Sequence, residues 1–306
     1  MSDVQQALAQ LDFHARMEYV PIDAGINDSV LDAINRAEDA SLHGDLVALE
    51  VAMLELSTLH GAENYLKAPG RSLHFAIEHQ HAEAVTFLLS RKVKIVEEHI
   101  KIATYTQNTE ILEILLTYGW AINSKMVVSD YNLTLWFLDH GADPNTVCDL
   151  DLTPLSVAVQ SAPMDVIKLL FSRGGSISFG QLLHYAARRD MQDQDEVVQL
   201  ILDKKPPINN VMYQGLECYF LQRAFGLGTP LHEAVERGKL DIARILLDYG
   251  ANPLIRDSLG KTARDRAMKL QTEVRDAMIE LLDSYAAFAS DESPQFTDDR
   301  RATGWG

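Results

Sequence analysis

Apolar residues recur along this chain in short runs at helical spacing, with polar residues and glycines between the runs. Leu231, Ala234 and Val235 form one such run; Ile242, Ile245, Leu246 and Leu247 form the next. Spacings of three and four residues put each set on one face of a helix. Gly238 follows the first run and Gly250 the second, where a left-handed residue can end a helix. Thr229 carries a hydroxyl suited to an N-cap, and Pro230 fits the first helical position, where no amide donor is needed. The pattern predicts a turn, a first helix, a short link, a second helix and an outgoing loop.

The same arrangement returns along the chain. A pair of apolar residues near the end of the second helix serves as a ruler. It recurs at Met53-Leu54, Leu88-Leu89, Leu115-Leu116, Phe137-Leu138, Leu170-Phe171, Ile201-Leu202, Leu246-Leu247 and Leu281-Leu282. Glycine follows at Gly119, Gly141, Gly174 and Gly250, and asparagine at Asn123, Asn145, Asn209 and Asn252. An acidic residue lies five before the first of the pair at Glu83, Glu110, Asp165, Glu196 and Asp241. Thr229 and Thr262 open two similar units 33 residues apart. A fixed period of this length is the mark of stacked repeats.

The unit from Gly228 opens Thr229-Pro230-Leu231-His232-Glu233-Ala234, and its second helix ends Leu246-Leu247-Asp248-Tyr249-Gly250-Ala251. These residues resemble the ankyrin repeat, over about residues 30–289. The whole is also similar to stand-alone ankyrin arrays of filamentous fungi. The resemblance implies an all-α ankyrin-repeat solenoid of about eight helix-turn-helix units with finger loops, acting as a non-catalytic protein-protein interaction scaffold. It also implies that His74, His184 and His232 hydrogen-bond a neighbouring turn, and that the first helices line a binding groove. The groove positions carried over are Phe75, Glu78, His79, Val157, Gln160, Ser161, Tyr185, Arg188, Arg189, Glu233, Glu236 and Arg237. In the final unit, Lys261, Arg264, Asp265, Arg266 and Lys269 add charge expected on an outer face that meets water.

Residues 1–29 precede the array. Val4, Leu8 and Leu11 suggest a short amphipathic helix, and Tyr19-Val20-Pro21-Ile22 an extended strap over the first repeat. Residues 290–306 are polar, turn-rich and expected to be disordered.

Composition narrows the function. With 27 Lys and Arg against 44 Asp and Glu, the formal charge is −17, which repels phosphate backbones and argues against nucleic acid. The same acidity suits either solubility or a partner with a basic patch. Two cysteines, Cys148 and Cys218, make no disulfide framework. The first residues show no secretion signal, and no apolar run reaches membrane length. The expected address is cytoplasm or nucleus, and the expected state a monomer. No cofactor is implied. His74, Glu78 and His81 could share a helix face, but no fourth metal ligand accompanies them. No phosphate loop, nucleophile elbow or paired-cysteine site is present, so no catalytic residue is assigned.

The period fails in two places. Successive ruler pairs are 35, 27, 22, 33, 31, 45 and 35 residues apart. The interval of 22 leaves little more than Met126–Asp130 for the fourth unit's first helix. Trp120, Tyr131 and Trp136 either plug the resulting notch or let it admit a side chain or small ligand. The interval of 45 marks an insertion between Asn209 and Thr229 rich in apolar residues: Met212, Tyr213, Tyr219, Phe220, Leu221 and Phe225. These rings either fold back onto their own repeat or are displayed, as aromatic anchors are at interfaces. Tyr185, Arg188 and Arg189 beside Glu233, Glu236 and Arg237 form the most polar stretch of the face. They make a ladder of ion pairs between adjacent helices, or they grip a carboxylate or phosphate. The partner-binding set predicted from sequence is therefore Tyr185, Arg188, Arg189, Tyr213, Tyr219, Phe220, Glu233, Glu236 and Arg237. The alternative is a small-molecule site or an unusual enzyme, using the short fourth unit or a pocket under the 209–228 loop.

Overall fold

Most repeats in the computed structural model are a pair of helices closed by a turn with one left-handed residue, a glycine at Gly119, Gly174 and Gly250 and a lysine at Lys92 and Lys205, and the polypeptide divides into two compact units at Lys125/Met126. The structure describes residues 28–60, 62, 65, 70–124, 128, 130–147 and 149–289. The expected N-terminal helix and strap, apart from Asp28 and Ser29, lie outside the described residues, as do Cys148 and the tail 290–306. The described residues are helices, turns and loops, with a lone bridge between Arg256 and Thr262 and no strand. The all-α repeat architecture expected from the sequence is the one found.

Among the described residues the first unit holds three helix pairs: α1 (Asp28–His43) with α2 (Leu46–Thr58), α3 (Gly70–Glu78) with α4 (Ala82–Ser90), and α5 (Glu97–Tyr105) with α6 (Thr109–Thr117). The second begins with a single helix, α7 (Tyr131–Asp139). It continues with α8 (Pro154–Ser161) and α9 (Met164–Ser172), then α10 (Leu182–Arg188) and α11 (Gln194–Leu202). The short α12 (Cys218–Gln222) interrupts the period, followed by α13 (Pro230–Glu236) with α14 (Leu240–Asp248) and α15 (Ala263–Ala267) with α16 (Thr272–Ala289).

The ruler pairs sit where the periodicity put them. The first member of every pair is buried, from Phe137 and Leu246 at 0% exposure to Leu281 at 5%. In the fourth unit, Asp130 does not belong to a first helix; its carboxylate accepts from the Leu133 amide at 2.8 Å and caps α7 directly. Val128 is buried, while residues 125–127 and 129 of the shortened unit lie outside the described set. Among its aromatics, Trp120 is buried, Tyr131 is exposed, and Trp136 stacks on His140 at 4.1 Å.

Adjacent repeats are fastened by polar side chains at repeating offsets. Asn145 donates to the Gly174 carbonyl at 3.0 Å and accepts from the Ser176 amide at 2.8 Å. Asn209 does the same one insertion later, with Gly250 at 3.2 Å and Asn252 at 2.8 Å. These bonds satisfy the carbonyls and amides that a helix end leaves without partners. Gly119, Gly141, Gly174 and Gly250 all adopt φ between +88 and +97, which accounts for their recurrence.

Candidate partner-binding surface

The helices α10 and α13 lie side by side in the second unit, and the segment 209–228 bridges their starts. Both helices are held at their N-termini by a histidine three residues past the cap. The His232 Nδ1 accepts from the Thr229 amide at 3.2 Å, and its Nε2 reaches the Lys261 carbonyl of the next turn at 3.1 Å. His184 Nε2 reaches the Gly228 carbonyl at 3.2 Å. In the preceding repeat Ser156 fills this role, donating to the Gly180 carbonyl at 2.6 Å. Burial pushes the His184 imidazole down to about 4, so it stands neutral as a donor to its carbonyl. His99 is a further member that the sequence reading passed over. Burial takes it to about 4, and it bonds the Gly70 carbonyl at 3.1 Å while accepting from the Val96 amide. It stands 16 residues before Leu115, within the range set by His232, 14 before Leu246, and His184, 17 before Ile201, so the ruler itself reaches it. His74 instead lies 3.4 Å from the Glu78 carboxylate. No group of metal-ligating side chains occurs among the described residues.

The polar residues expected to line the groove separate into three kinds. Arg188 grips Glu233 in a two-point ion pair, Nε to Oε2 at 2.7 Å and Nη2 to Oε1 at 2.9 Å. Burial pushes the Glu233 carboxyl up, but the hydrogen bonds and charge of Arg188 outweigh it and the net shift is downward. The same Arg188 Nη2 lies 3.2 Å from the Met212 sulfur, which ties the ion pair to the foot of the inserted loop. Glu236 pairs with Arg266 at 2.6 Å, and Arg266 also holds Asp257 at 2.9 Å. This is the ladder between neighbouring helices rather than a pair of open cationic arms. Arg237 stays exposed beside it.

Three placements correct the sequence reading. Arg189 does not face a groove: it is fully buried, donating to the Val159 carbonyl at 3.1 Å, the Ala162 carbonyl at 2.8 Å and both oxygens of Asp193. Tyr213 is turned inward, 7% exposed, beside Tyr185, which is equally buried. Arg266, expected on a solvated outer face, is also 7% exposed: the buried Asp257 neutralises it from inside, and the exposed Glu236 pairs with it from the surface. For Arg189 and Arg266 the charge alone places the side chain at a surface, whereas the fold supplies each with buried partners; for Tyr213, left open between folding back and display, the fold takes the inward position.

The inserted loop resolves into a pinned base and an exposed crown. Met212, Tyr213 and Leu227 are buried in the core of the second unit. The Met212 amide donates to the Gly228 carbonyl at 2.9 Å. At the other foot, Leu227 and Ser258 exchange two bonds at 2.7 and 2.8 Å, Ser258 donates to the Arg223 carbonyl, and Arg266 donates to the Gly226 carbonyl. Between these feet, α12 and the 3-10 turn Arg223–Phe225 expose Phe220 at 70%, Leu221 at 77% and Phe225 at 78%. Tyr219 is half-buried at the margin and meets Phe220 edge-to-face at 5.9 Å. Leu259, 58% exposed, lies against Gly226 and extends the apolar crown. Of the predicted set, Phe220, Glu236 and Arg237 are displayed, Tyr219 and Arg188 are partly accessible, and Tyr185, Glu233, Tyr213 and Arg189 are buried. Leu221 and Phe225 were named in the insertion but not in that set.

Comparison with known proteins agrees with this architecture. Residues 217–267 match the family described as ankyrin repeats (many copies). A stretch of 143 residues is 29% identical to the E3 ubiquitin-protein ligase hecd-1 of Caenorhabditis elegans; the match covers 45% of this chain and only 4% of that protein. No described helix is long and apolar enough to cross a membrane.

Proposed function

This chain carries ankyrin repeats, a family that generally mediates protein-protein interaction, and from that premise we propose that it is a non-catalytic scaffold whose second unit docks a partner protein on the crown of the 209–228 loop. The observation that carries the reading is the contrast within one short segment: a base pinned by buried residues and hydrogen bonds, and a crown that leaves Phe220, Leu221 and Phe225 in water. Water-exposed aromatic side chains are costly to solubility unless a partner covers them, and a rigid base removes most of the ordering cost of covering them. Around the crown, Glu236 and Arg237 are exposed, while Arg188 and Glu233 are spent on each other. The partner that fits offers an apolar socket for two or three rings, with a basic rim suited to a chain of net charge −17.

The test is site-specific photo-crosslinking from a photoreactive residue at Phe220, carried out in native extract. The control is the same protein with Leu221→Ser and Phe225→Ser. The reading expects one protein captured reproducibly, capture reduced at least about tenfold in the control, and unchanged melting of the control. Equal capture by both forms, or ligand-induced stabilisation by a small molecule with no protein captured, overturns it.

A further inference from the structure

The outer face of α2 is apolar, where a helix face left to water is ordinarily polar. Here α1 and α2 pack against α3 and α4 on one side only, among the described residues. On the other side, Val47 is 72% exposed, Val51 60% and Leu54 62%, at offsets of four and seven along one face of α2. Ala40 and Ala52, both buried, form the floor of a surface groove of about 700 Å³ between α1 and α2. Arg36, Asp39, His43 and Glu55 form its rim, with Arg36 and Glu55 paired across it at 2.8 Å. Three contiguous apolar side chains on one helical stripe call for a helix to cover them.

We propose that the occupant is the chain's own segment Val4–Leu11. Its apolar residues Val4, Leu8 and Leu11 have offsets of four and seven, the same stripe that Val47, Val51 and Leu54 form on α2. Two helices with matching stripes can pack side by side along about 10 Å, the length of seven helical rises. The intervening residues of that segment are Gln5, Gln6, Ala7, Ala9 and Gln10, so it brings no charge to the apolar wall and can offer amides to the charged rim. Reach is no obstacle. Residues 12–27 join it to the start of α1 and extend up to about 50 Å, roughly twice the length of α1 itself. The segment acts as an intramolecular cap over this face, and it keeps the first unit from pairing with other chains through α2.

Amide hydrogen exchange on the full chain tests this. The proposal expects exchange over residues 4–11 to be slowed at least about tenfold relative to an unstructured peptide, independent of protein concentration. Val51→Asp, at an exposed position of α2, and Leu8→Asp, outside the repeat stack, each bring that slowing below about twofold. Using both separates loss of the cap from any damage to α2 itself. Exchange over residues 4–11 at the unstructured rate in the unaltered chain overturns the proposal. So does protection that survives both substitutions. Protection that rises with concentration and vanishes in Val51→Asp also overturns it, assigning the face to a second copy.

Discussion

Replacing Arg189 with methionine is expected to destabilise the centre of the second unit, although its sequence position suggests a binding face. Its place is explained by Pro163. That proline has no amide hydrogen to give the Val159 carbonyl four residues back, and the chain break between α8 and α9 leaves the Ala162 carbonyl pointing inward. The Arg189 guanidinium supplies both, at 3.1 and 2.8 Å, and anchors its fork on Asp193 at 2.8 and 2.7 Å. Methionine keeps the buried stem, so the cavity cost is small and the lost donors dominate. Two buried carbonyls left without partners cost about 1–3 kcal/mol each. Asp193, 26% exposed, recovers part of its hydration and adds less. The sum is about 3–4 kcal/mol, equivalent to a fall of roughly 10 °C in melting temperature. Local opening of α8 to α11 should rise by roughly 150- to 900-fold. Thermal unfolding and hydrogen exchange of the same sample read both quantities. A melting temperature within about 2 °C of wild type, with exchange in α8–α11 changed less than about threefold, refutes the account of Arg189 as an internal bridge.

Acid should weaken the second unit at a milder pH than its carboxylates alone would produce. His184 has a folded value of about 4 against 6.5 for a free imidazole, so the unfolded chain takes up its proton first. That contribution to stability is complete above pH 6.5 and is lost progressively as pH falls towards 4. Denaturant titrations should show a loss of about 2 kcal/mol between pH 7 and 5, and His184→Gln should flatten that dependence. Gly180→Ala and Gly250→Ala separate crowding from backbone strain. Both have positive φ, but a Cβ at Gly180 falls 2.0 Å from the Ser156 hydroxyl while one at Gly250 meets nothing. Calorimetry should show the Gly250 change costing about 1 kcal/mol and the Gly180 change several times more; equal costs would remove crowding as the cause. Arg188→Ala should cost about 3 kcal/mol by leaving Glu233 buried without a partner, and the double change Arg188→Met/Glu233→Leu should recover much of that loss in equilibrium unfolding. If the double change is as unstable as the single one, the ion pair contributes more than its own desolvation.

The residues that define the repeat were readable from the sequence because their causes are local or periodic. A cap such as Asp130, a left-handed glycine such as Gly250 and an apolar pair such as Leu246-Leu247 act within one turn or one unit, and stacking repeats them at fixed intervals. The insertion before Thr229 was legible for the same reason, as an interruption of a period. The fate of its side chains was not. Tyr213 and Phe220 are both aromatic residues of one loop, yet Tyr213 turns in to meet Tyr185 and Phe220 stays out, since the pinning bonds come from Gly228, Ser258 and Arg266. Arg189 and Arg266 likewise look like surface charges until Pro163 and Asp257 are placed beside them. Composition and period determined the scaffold through short-range forces. Tertiary packing alone decided which polar groups found buried partners and which apolar ones were left to water, because those partners come from different repeats.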